Sequence, residues 1–229
     1  KGHEIEIVEK DTRGTAISFG HPIDVRRGHP DFVALWLARA WLGEHRSSSS
    51  HLYQRIREAR GMNYGDYAYV EAFPRGMFQL SPDPNLGRRA QLFEVWIRPV
   101  VPRNAPMAIR IALFELRRLV EQGLTQEDFE ATRQYLLKNV FVTTARQEQQ
   151  VGAALDSRWY GIPELTAYLR DGLAKLTRDE VNAAVKRHLS FSDLSFVAVT
   201  KDARALADAL LSDAPSTITY ESDKPAAPL

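Results

Sequence analysis

Residues 52–69 of the chain, LYQRIREARGMNYGDYAY, place a basic helix, a glycine turn and a tyrosine-rich strand in immediate succession. Gly61 stands where a glycine usually follows the last residue of a helix. Side chains alternate along a strand, so Tyr67 and Tyr69 are expected on one face and Tyr64 on the other. The residues alone leave two interpretations open: a solvated arginine helix with ordinary aromatic strand packing, or a segment with a function of its own.

Upstream of this stretch, the pattern predicts two strands and a buried helix. Residues 4–9 alternate polar and apolar side chains, as an edge strand does. Residues 15–20 predict a second strand, which should end at His21-Pro22. Residues 30–42, with Pro30 in the first turn and an apolar run from 32 to 42, predict a helix buried on most sides. The side chains expected against the sheet are Phe32, Leu35, Trp36 and Leu42.

Downstream, strand-like segments give way to helices. Strands are predicted at residues 64–73, 77–81, 92–99 and 194–200. Helices are predicted at residues 107–122, 147–160, 162–173 and 202–211. Two further helices should begin after Thr125 and Thr177, where each threonine caps the start and the second completes a Thr-x-x-Glu capping box.

This order of elements predicts the α+β class, with an antiparallel β-sheet and helices packed on one face. We expect one domain over residues 1–211 and an extended tail over residues 212–229, which is rich in Pro, Ser and Asp.

Composition excludes several classes of protein. Lys and Arg number 30 against 29 Asp and Glu, so no excess charge favours nucleic acid or an anionic membrane. The absence of cysteine excludes disulfides, thiolate metal sites and cysteine nucleophiles. No apolar run approaches the ~18 residues of a membrane span. Because Lys1 opens the chain and no signal-peptide pattern follows it, we expect a piece of a longer protein.

The motifs that could support catalysis by this chain are incomplete. Glu44-His45 would need a histidine at position 41 to form the inverted zinc motif His-x-x-Glu-His, and that position is Trp41. His51 lies six residues beyond His45, a spacing that no single helix face serves, and the other histidines form no recognisable ligand set. We therefore expect no metal site and no catalytic residue in this chain, and a hydrolase using His45 or His51 is the least favoured alternative.

Nucleophilic and nucleotide-binding motifs are also missing. The serine run 47–50 has no Gly-x-Ser-x-Gly elbow around it and is typical of a cap and loop before a helix. The chain contains neither a Walker loop nor a Gly-x-Gly-x-x-Gly motif.

The opening stretch resembles the pattern Leu-Tyr-x-x-(Ile/Leu)-Arg-Glu-x-Arg-Gly-Leu-x-Tyr found in the second halves of insulinase/pitrilysin-like zinc proteases, which include bacterial relatives and the mitochondrial processing peptidases. Met62 stands where leucine is common, and Glu44-His45-Arg46 and the serine run lie outside the general pattern. The flanks agree over about residues 5–210, at Gly20-His21-Pro22, at Pro30-Asp31 and in the helix starts that begin at Gly123 and Leu176.

The resemblance implies a function. In this family the first half carries His-x-x-Glu-His and its zinc, and the second half closes over a peptide substrate and contributes an Arg and a Tyr, here Arg57 and Tyr64, to contacts near the scissile bond. The implied partner is therefore a zinc-bearing catalytic half, either upstream in the same chain or as a separate subunit. The resemblance leaves one alternative of another class, a non-proteolytic assembly subunit related to respiratory-complex core proteins. The compartment stays unassigned, and the resemblance is compatible with a bacterial cell envelope.

Overall fold

The computed structural model describes residues 2–44, 47–72, 82–83, 86–212 and 214–216. The strand predicted at residues 77–81, His45 and most of the predicted tail lie outside these ranges. No helix in the described ranges combines the length and the hydrophobicity that crossing a membrane requires.

The described residues form one five-stranded sheet. Its strands are β1 (Glu4–Glu9), β2 (Thr15–Ile23), β3 (Asp66–Tyr69), β4 (Gln91–Val100) and β5 (Ser195–Thr200). Their order across the sheet is β1-β5-β2-β4-β3, and every pairing is antiparallel except that of β1 with β5. The α+β class is confirmed, while the sheet is mixed and not wholly antiparallel. The parallel pair is possible because the chain between β1 and β5, helices included, serves as its crossover connection.

Helices occupy most of the rest of the described chain. They are α1 (Phe32–Leu42), α2 (Ala105–Gln122), α3 (Gln126–Asn139), α4 (Gln147–Tyr160), α5 (Leu165–Lys175), α6 (Arg178–His188) and α7 (Ala203–Leu211). A π-helix spans Tyr53–Glu58, and short 3-10 segments span Pro102–Asn104 and Val140–Thr144.

The two helix starts predicted from capping patterns are confirmed. The backbone N–H of Asp128 donates to Thr125 Oγ1 at 3.1 Å. At α6, the N–H of Glu180 donates to Thr177 Oγ1 at 3.3 Å, and the Glu180 carboxylate accepts the N–H of Thr177 at 2.8 Å. These residues satisfy N–H groups that a helix start otherwise leaves without partners, so the starts of α3 and α6 are set locally.

Helix α1 is the buried helix that its apolar run predicted. Phe32, Leu35 and Leu42 are at most 1% exposed, and Trp36 is partly exposed at the edge of the same core. The helix begins at Phe32 after the N-cap Asp31, so the preceding proline lies just outside it. At about 25 cal/mol per Å² of apolar surface, burying such side chains is the main stabilising contribution to the fold.

Strand β4 shows that the described helices cover one face of the sheet. Phe93, Val95 and Ile97 point into the core shared with the helices and are at most 2% exposed. Trp96 and Arg98 alternate with them on the opposite face and are partly exposed. The predicted arrangement, with helices on one face, is therefore observed, and the face that carries Trp96 and Arg98 stays partly open.

Strand β2 is longer than predicted. It continues through His21-Pro22 to Ile23, where the pattern predicted an end. The proline is tolerated because β5 pairs with β2 only as far as Gly20, so Pro22 lies where β2 has a single neighbour, β4. Gly20 itself is required by close packing, since an added Cβ would lie 1.9 Å from the carbonyl oxygen of Phe93.

Candidate functional site

The segment that presents Arg57 is a helix with an enlarged turn. Within Tyr53–Glu58 the helix is of the π type, and the N–H of Ala59 donates to the carbonyl of Gln54, five residues earlier, at 2.9 Å. Such turns are rare and are frequent at functional sites. No feature of the sequence predicted the wider turn.

A glycine corner reverses the chain between Arg57 and Tyr64. Gly61 has φ of 62°, and its N–H donates to the carbonyl of Arg57 at 2.7 Å. Gly65, directly after Tyr64, has φ of 132°. Both values lie where glycine is strongly favoured over residues with a side chain. The corner brings a helical residue and a residue at the entry to β3 to the same place.

Arg57 and Tyr64 lie side by side at this corner. The guanidinium carbon of Arg57 is 5.4 Å from the centre of the Tyr64 ring and 5.8 Å from that of Tyr53. An Arg57 nitrogen also lies 3.9 Å from a Glu58 oxygen. The Arg57 side chain is 35% exposed and Tyr64 is 78% exposed, so solvent reaches both residues. A cation over an aromatic face at this distance is attractive and holds the two groups together.

Glu115 on α2 anchors the helical segment from behind. Its carboxylate accepts Arg55 Nε at 3.0 Å and lies 3.3 Å from His51 Nδ1 and 3.7 Å from a nitrogen of Arg118. Burial raises the pKa of Glu115, but the close polar contact and charge of His51 and the charges of Arg55 and Arg118 outweigh it and hold that pKa below its usual value.

The anchoring role of Glu115 was missed from the sequence, although a signal was present. Position 115 falls on the apolar stripe of α2, next to Leu116 and one turn from Ala112 and Leu119, where a carboxylate needs partners to be buried. Arg118 is three positions away, but Arg55 and His51 are 60 or more positions away in sequence, so only the fold reveals these two partners.

Asp66, the first residue of β3, is a second buried carboxylate at the corner. It is fully buried and accepts hydrogen bonds from Asn63 Nδ2 at 2.7 Å and from the N–H of Arg98 at 3.1 Å. Burial raises the pKa of Asp66 to about 7, against the lowering effect of these bonds and of the Arg98 charge. A carboxyl group with so high a pKa beside Tyr64 was not anticipated from the sequence.

A second polar cluster gathers at the start of α1. His188 Nε2 lies 2.7 Å from Asp31 Oδ2, and Arg187 donates to the same carboxylate through Nε at 3.0 Å and through a terminal nitrogen at 3.3 Å. His29 Nδ1 accepts the N–H of Asp31 at 3.0 Å. His29, Asp31 and His188 are close enough to consider a metal ion. However, Arg187 occupies both carboxylate oxygens, so we interpret the cluster as an ion-paired contact between α6 and the start of α1. That the chain holds no metal stays a prediction.

His51 and three of the serines in the run 47–50 have structural contacts. His51 stacks on Trp41, with ring centres 3.8 Å apart, in addition to its contact with Glu115. In the serine run, Ser50 Oγ donates to the carbonyl of Ser47 at 3.1 Å, and the hydroxyls of Ser47 and Ser49 are 2.8 Å apart. These contacts suit a loop before a helix and favour no nucleophile.

Comparison with known proteins identifies the family. The model described as the peptidase M16 inactive domain matches residues 1–136. No curated protein matches the chain significantly by sequence.

Solved structures agree with that family. A peptidase M16 inactive domain from Pseudomonas fluorescens superposes with a TM-score of 0.67 at 19% identity, over 88% of this chain and 44% of that one. The inactive peptidase domain of a protein assigned as a zinc protease, from Bordetella parapertussis, gives 0.54 at 23% identity over 82% and 94% of the two chains. A chain of Complex III2 from Candida albicans gives 0.66 at 12% identity over 92% and 49%. At these identities the likeness shows the fold, and the chain spans less than half the length of the Pseudomonas structure.

Proposed function

The chain belongs to the peptidase M16 inactive-domain family, and on that premise we propose that it is the substrate-binding, non-catalytic half of a zinc-dependent endopeptidase. In this proposal it closes over an extended peptide and places Arg57 and Tyr64 beside the zinc of a partner half. The observation that carries the proposal is the meeting of these two side chains at one corner, where Tyr64 is exposed and Arg57 is partly exposed.

The chemistry of the pair suits this role. When zinc-activated water attacks a peptide carbonyl, negative charge develops on the carbonyl oxygen. A tyrosine hydroxyl and an arginine guanidinium can donate to that oxygen or to neighbouring carbonyls of the substrate. Neither group activates water, so the pair assists a catalytic half and does not replace it. The zinc-bearing half would supply the metal and the general base.

The size of the Pseudomonas fluorescens structure supports a partner half, whereas the Bordetella parapertussis domain is matched over 94% of its own length. This chain matches only 44% of the Pseudomonas fluorescens structure, which leaves room there for a second unit of about equal size. Whether that unit precedes this chain covalently or joins it as a separate subunit is an open part of the proposal.

A second candidate function is a non-proteolytic assembly subunit. It is favoured by the likeness to a chain of Complex III2, which covers 92% of this chain. The exposed Arg57–Tyr64 pair favours the protease instead, because an assembly subunit has no need of substrate donors at a corner.

Mixing the chain with its zinc-bearing half tests the proposal. We expect neither part alone to cleave a mixed peptide library, and the mixture to do so until a chelator is added. Cleavage by this chain alone, abolished by chelator, would contradict the proposed division of labour. A mixture that assembles but stays inactive would favour the assembly subunit.

A further inference from the structure

The corner that carries Tyr64 is held by two buried polar side chains, Asn63 and Asp66. Asn63 Nδ2 donates to Asp66 Oδ1 at 2.7 Å and to the carbonyl of Arg98 at 3.2 Å, while Asn63 Oδ1 accepts the N–H of Gly65 at 3.1 Å. Asp66 Oδ1 also accepts the N–H of Arg98 at 3.1 Å. These bonds join the residues on both sides of Tyr64 to strand β4, which lies beneath them.

Tyr64 depends on this frame because, among the residues that the structure describes, little else holds it. Tyr64 is 78% exposed, and its ring contact within the described ranges is with Arg57, itself partly exposed. The hydroxyl direction is therefore set mainly by the backbone of residues 63–65. That backbone includes Gly65, with φ of 132°. Because glycine has no side chain, nothing at this residue itself restricts the backbone.

We propose that Asn63 and Asp66 are positioning residues that fix the backbone of Tyr64, so that its hydroxyl meets the substrate. This inference rests on the proposed function of the Arg57–Tyr64 pair. The role proposed for Tyr64 does not by itself imply a role for Asn63 or Asp66. The role of these two residues is inferred from their own hydrogen bonds.

The hydrogen bonds show why the frame is stiff. Asn63 is 7% exposed and uses its amide oxygen and its amide nitrogen for three bonds. The bond to Asp66 is short, as expected where a carboxylate accepts. Removing the Asn63 amide would leave the buried N–H of Gly65 and the carbonyl of Arg98 without this partner, so the corner would be free to move. A displacement of about 1 Å at a substrate contact can reduce a rate on the order of 10²-fold.

The enzyme assembled from both halves is the right material for the test. Asn63→Ala should lower kcat/KM by on the order of 10-fold or more, and should do so through the same parameter, kcat or KM, that Tyr64→Phe changes. Asn182→Ala is the matched control, because Asn182 also ties a loop down, with Oδ1 accepting the N–H of Leu124 at 2.8 Å and Nδ2 donating to its carbonyl at 3.2 Å. We expect this control to lose stability but to keep kcat/KM within about twofold.

Two further variants separate positioning from general damage. Asp66→Asn keeps an oxygen acceptor for Asn63 and Arg98 and should retain most activity, whereas Asp66→Ala should lose it as Asn63→Ala does. In the Tyr64→Phe background, Asn63→Ala should have much less effect than alone, because the hydroxyl that it positions is already gone. If Asn63→Ala does not fold, Asn63→Gln takes its place with the same expectations, since it shifts the amide by one methylene.

The outcomes distinguish this inference from the proposed function. If Tyr64→Phe itself changes neither kcat nor KM, the proposed function fails first. If Tyr64→Phe is harmful but Asn63→Ala behaves like Asn182→Ala, or if its effect adds fully to that of Tyr64→Phe, the positioning role is wrong while the proposed function stands.

Discussion

The corner at Tyr64 and the cluster at Asp31 are both polar, but they differ in how their charged groups are satisfied. At the start of α1, the Asp31 carboxylate is bonded by Arg187 and His188. At the corner, Asp66 is buried with one oxygen, Oδ2, that accepts no hydrogen bond from any described residue, while Tyr64 is exposed and Arg57 partly exposed. In the first arrangement the polar groups bond one another and stabilise the fold. In the second, the carboxyl group is buried with an oxygen left unbonded, which is less favourable for stability, and the exposed side chains beside it are those for which we propose a role in substrate binding.

The two carboxyl groups should therefore respond to pH in opposite ways. Burial raises the pKa of Asp66 to about 7. For Asp31, burial alone would raise the pKa, but the hydrogen bonds from His188 and Arg187 and their charges outweigh it and lower that pKa below its usual value. A raised pKa makes the folded state less stable as pH rises through it, and a lowered pKa makes the folded state less stable as pH falls.

Replacing Asp66 by Asn should give the largest effect on stability. The stabilisation from a protonated Asp66 is complete below the usual pKa of 3.8 and is lost as pH rises toward 7. Each pKa unit corresponds to about 1.4 kcal/mol, so the difference in unfolding free energy between Asp66→Asn and the parent should grow by on the order of 4 kcal/mol between pH 4 and pH 8, in favour of the variant. Urea unfolding of both proteins across this range measures it. A difference that stays constant with pH would show that Asp66 is not desolvated as the structure indicates.

Replacing Arg57 by Lys should give the next largest effect, which we expect on catalytic activity and not on stability. A lysine keeps the charge but cannot present the planar fork of donors, so we expect kcat/KM of the assembled enzyme to fall on the order of 10²-fold with little change in melting temperature. Arg117→Lys is the control, since Arg117 is exposed and pairs with Glu121 on the surface of α2. Equal kcat/KM for Arg57→Lys and Arg117→Lys would contradict the proposal that Arg57 contacts the substrate while Arg117 only forms a surface ion pair.

Replacing Asp31 by Asn should give the smallest effect, and opposite in sign to that at Asp66. The variant loses the ion pairs to Arg187 and His188, which are partly exposed, so the loss of unfolding free energy at pH 7 should be about 1 kcal/mol. Because the pKa of Asp31 is lowered, the stabilisation is present above its usual value of 3.8 and should fade as pH falls below it. Catalytic activity should not change. A variant more stable than the parent at pH 7 would contradict the interpretation of this cluster as a structural contact.

Local signals in the sequence predicted much of the fold but only part of the site. Thr125 and Thr177 fix helix starts through neighbours three residues away, and the apolar run of α1 can only be buried, so these features are readable without the fold. The proposed roles of Arg57 and Tyr64 come from a family resemblance, and the reversal that joins the two residues follows from the glycine at position 61.

The rest of the site depends on contacts between distant positions. His29 and His188 meet only because α1 packs on α6, and Arg55 meets Glu115 only because the π-helix packs on α2. Aspartate is a residue type common in turns, so the sequence gives no sign that Asp66 is buried. Its burial follows from its place opposite Ile97 in the sheet. The spacing of apolar residues carries no information about such contacts, so the sequence did not predict the burial of Glu115 or of Asp66.

The central claim is that the exposed corner serves the substrate, and the tyrosine hydroxyl tests it most directly. Tyr64→Phe removes one donor and keeps the ring over Arg57, and Tyr53→Phe is its matched control because the Tyr53 ring contacts the same guanidinium at 5.8 Å. In the assembled enzyme, the account predicts that Tyr64→Phe lowers kcat on the order of 10²-fold if the hydroxyl meets the developing charge, or raises KM if it orients the peptide, while Tyr53→Phe stays within about twofold of the parent. Full kcat/KM in Tyr64→Phe, or equal losses in both variants, would contradict the account.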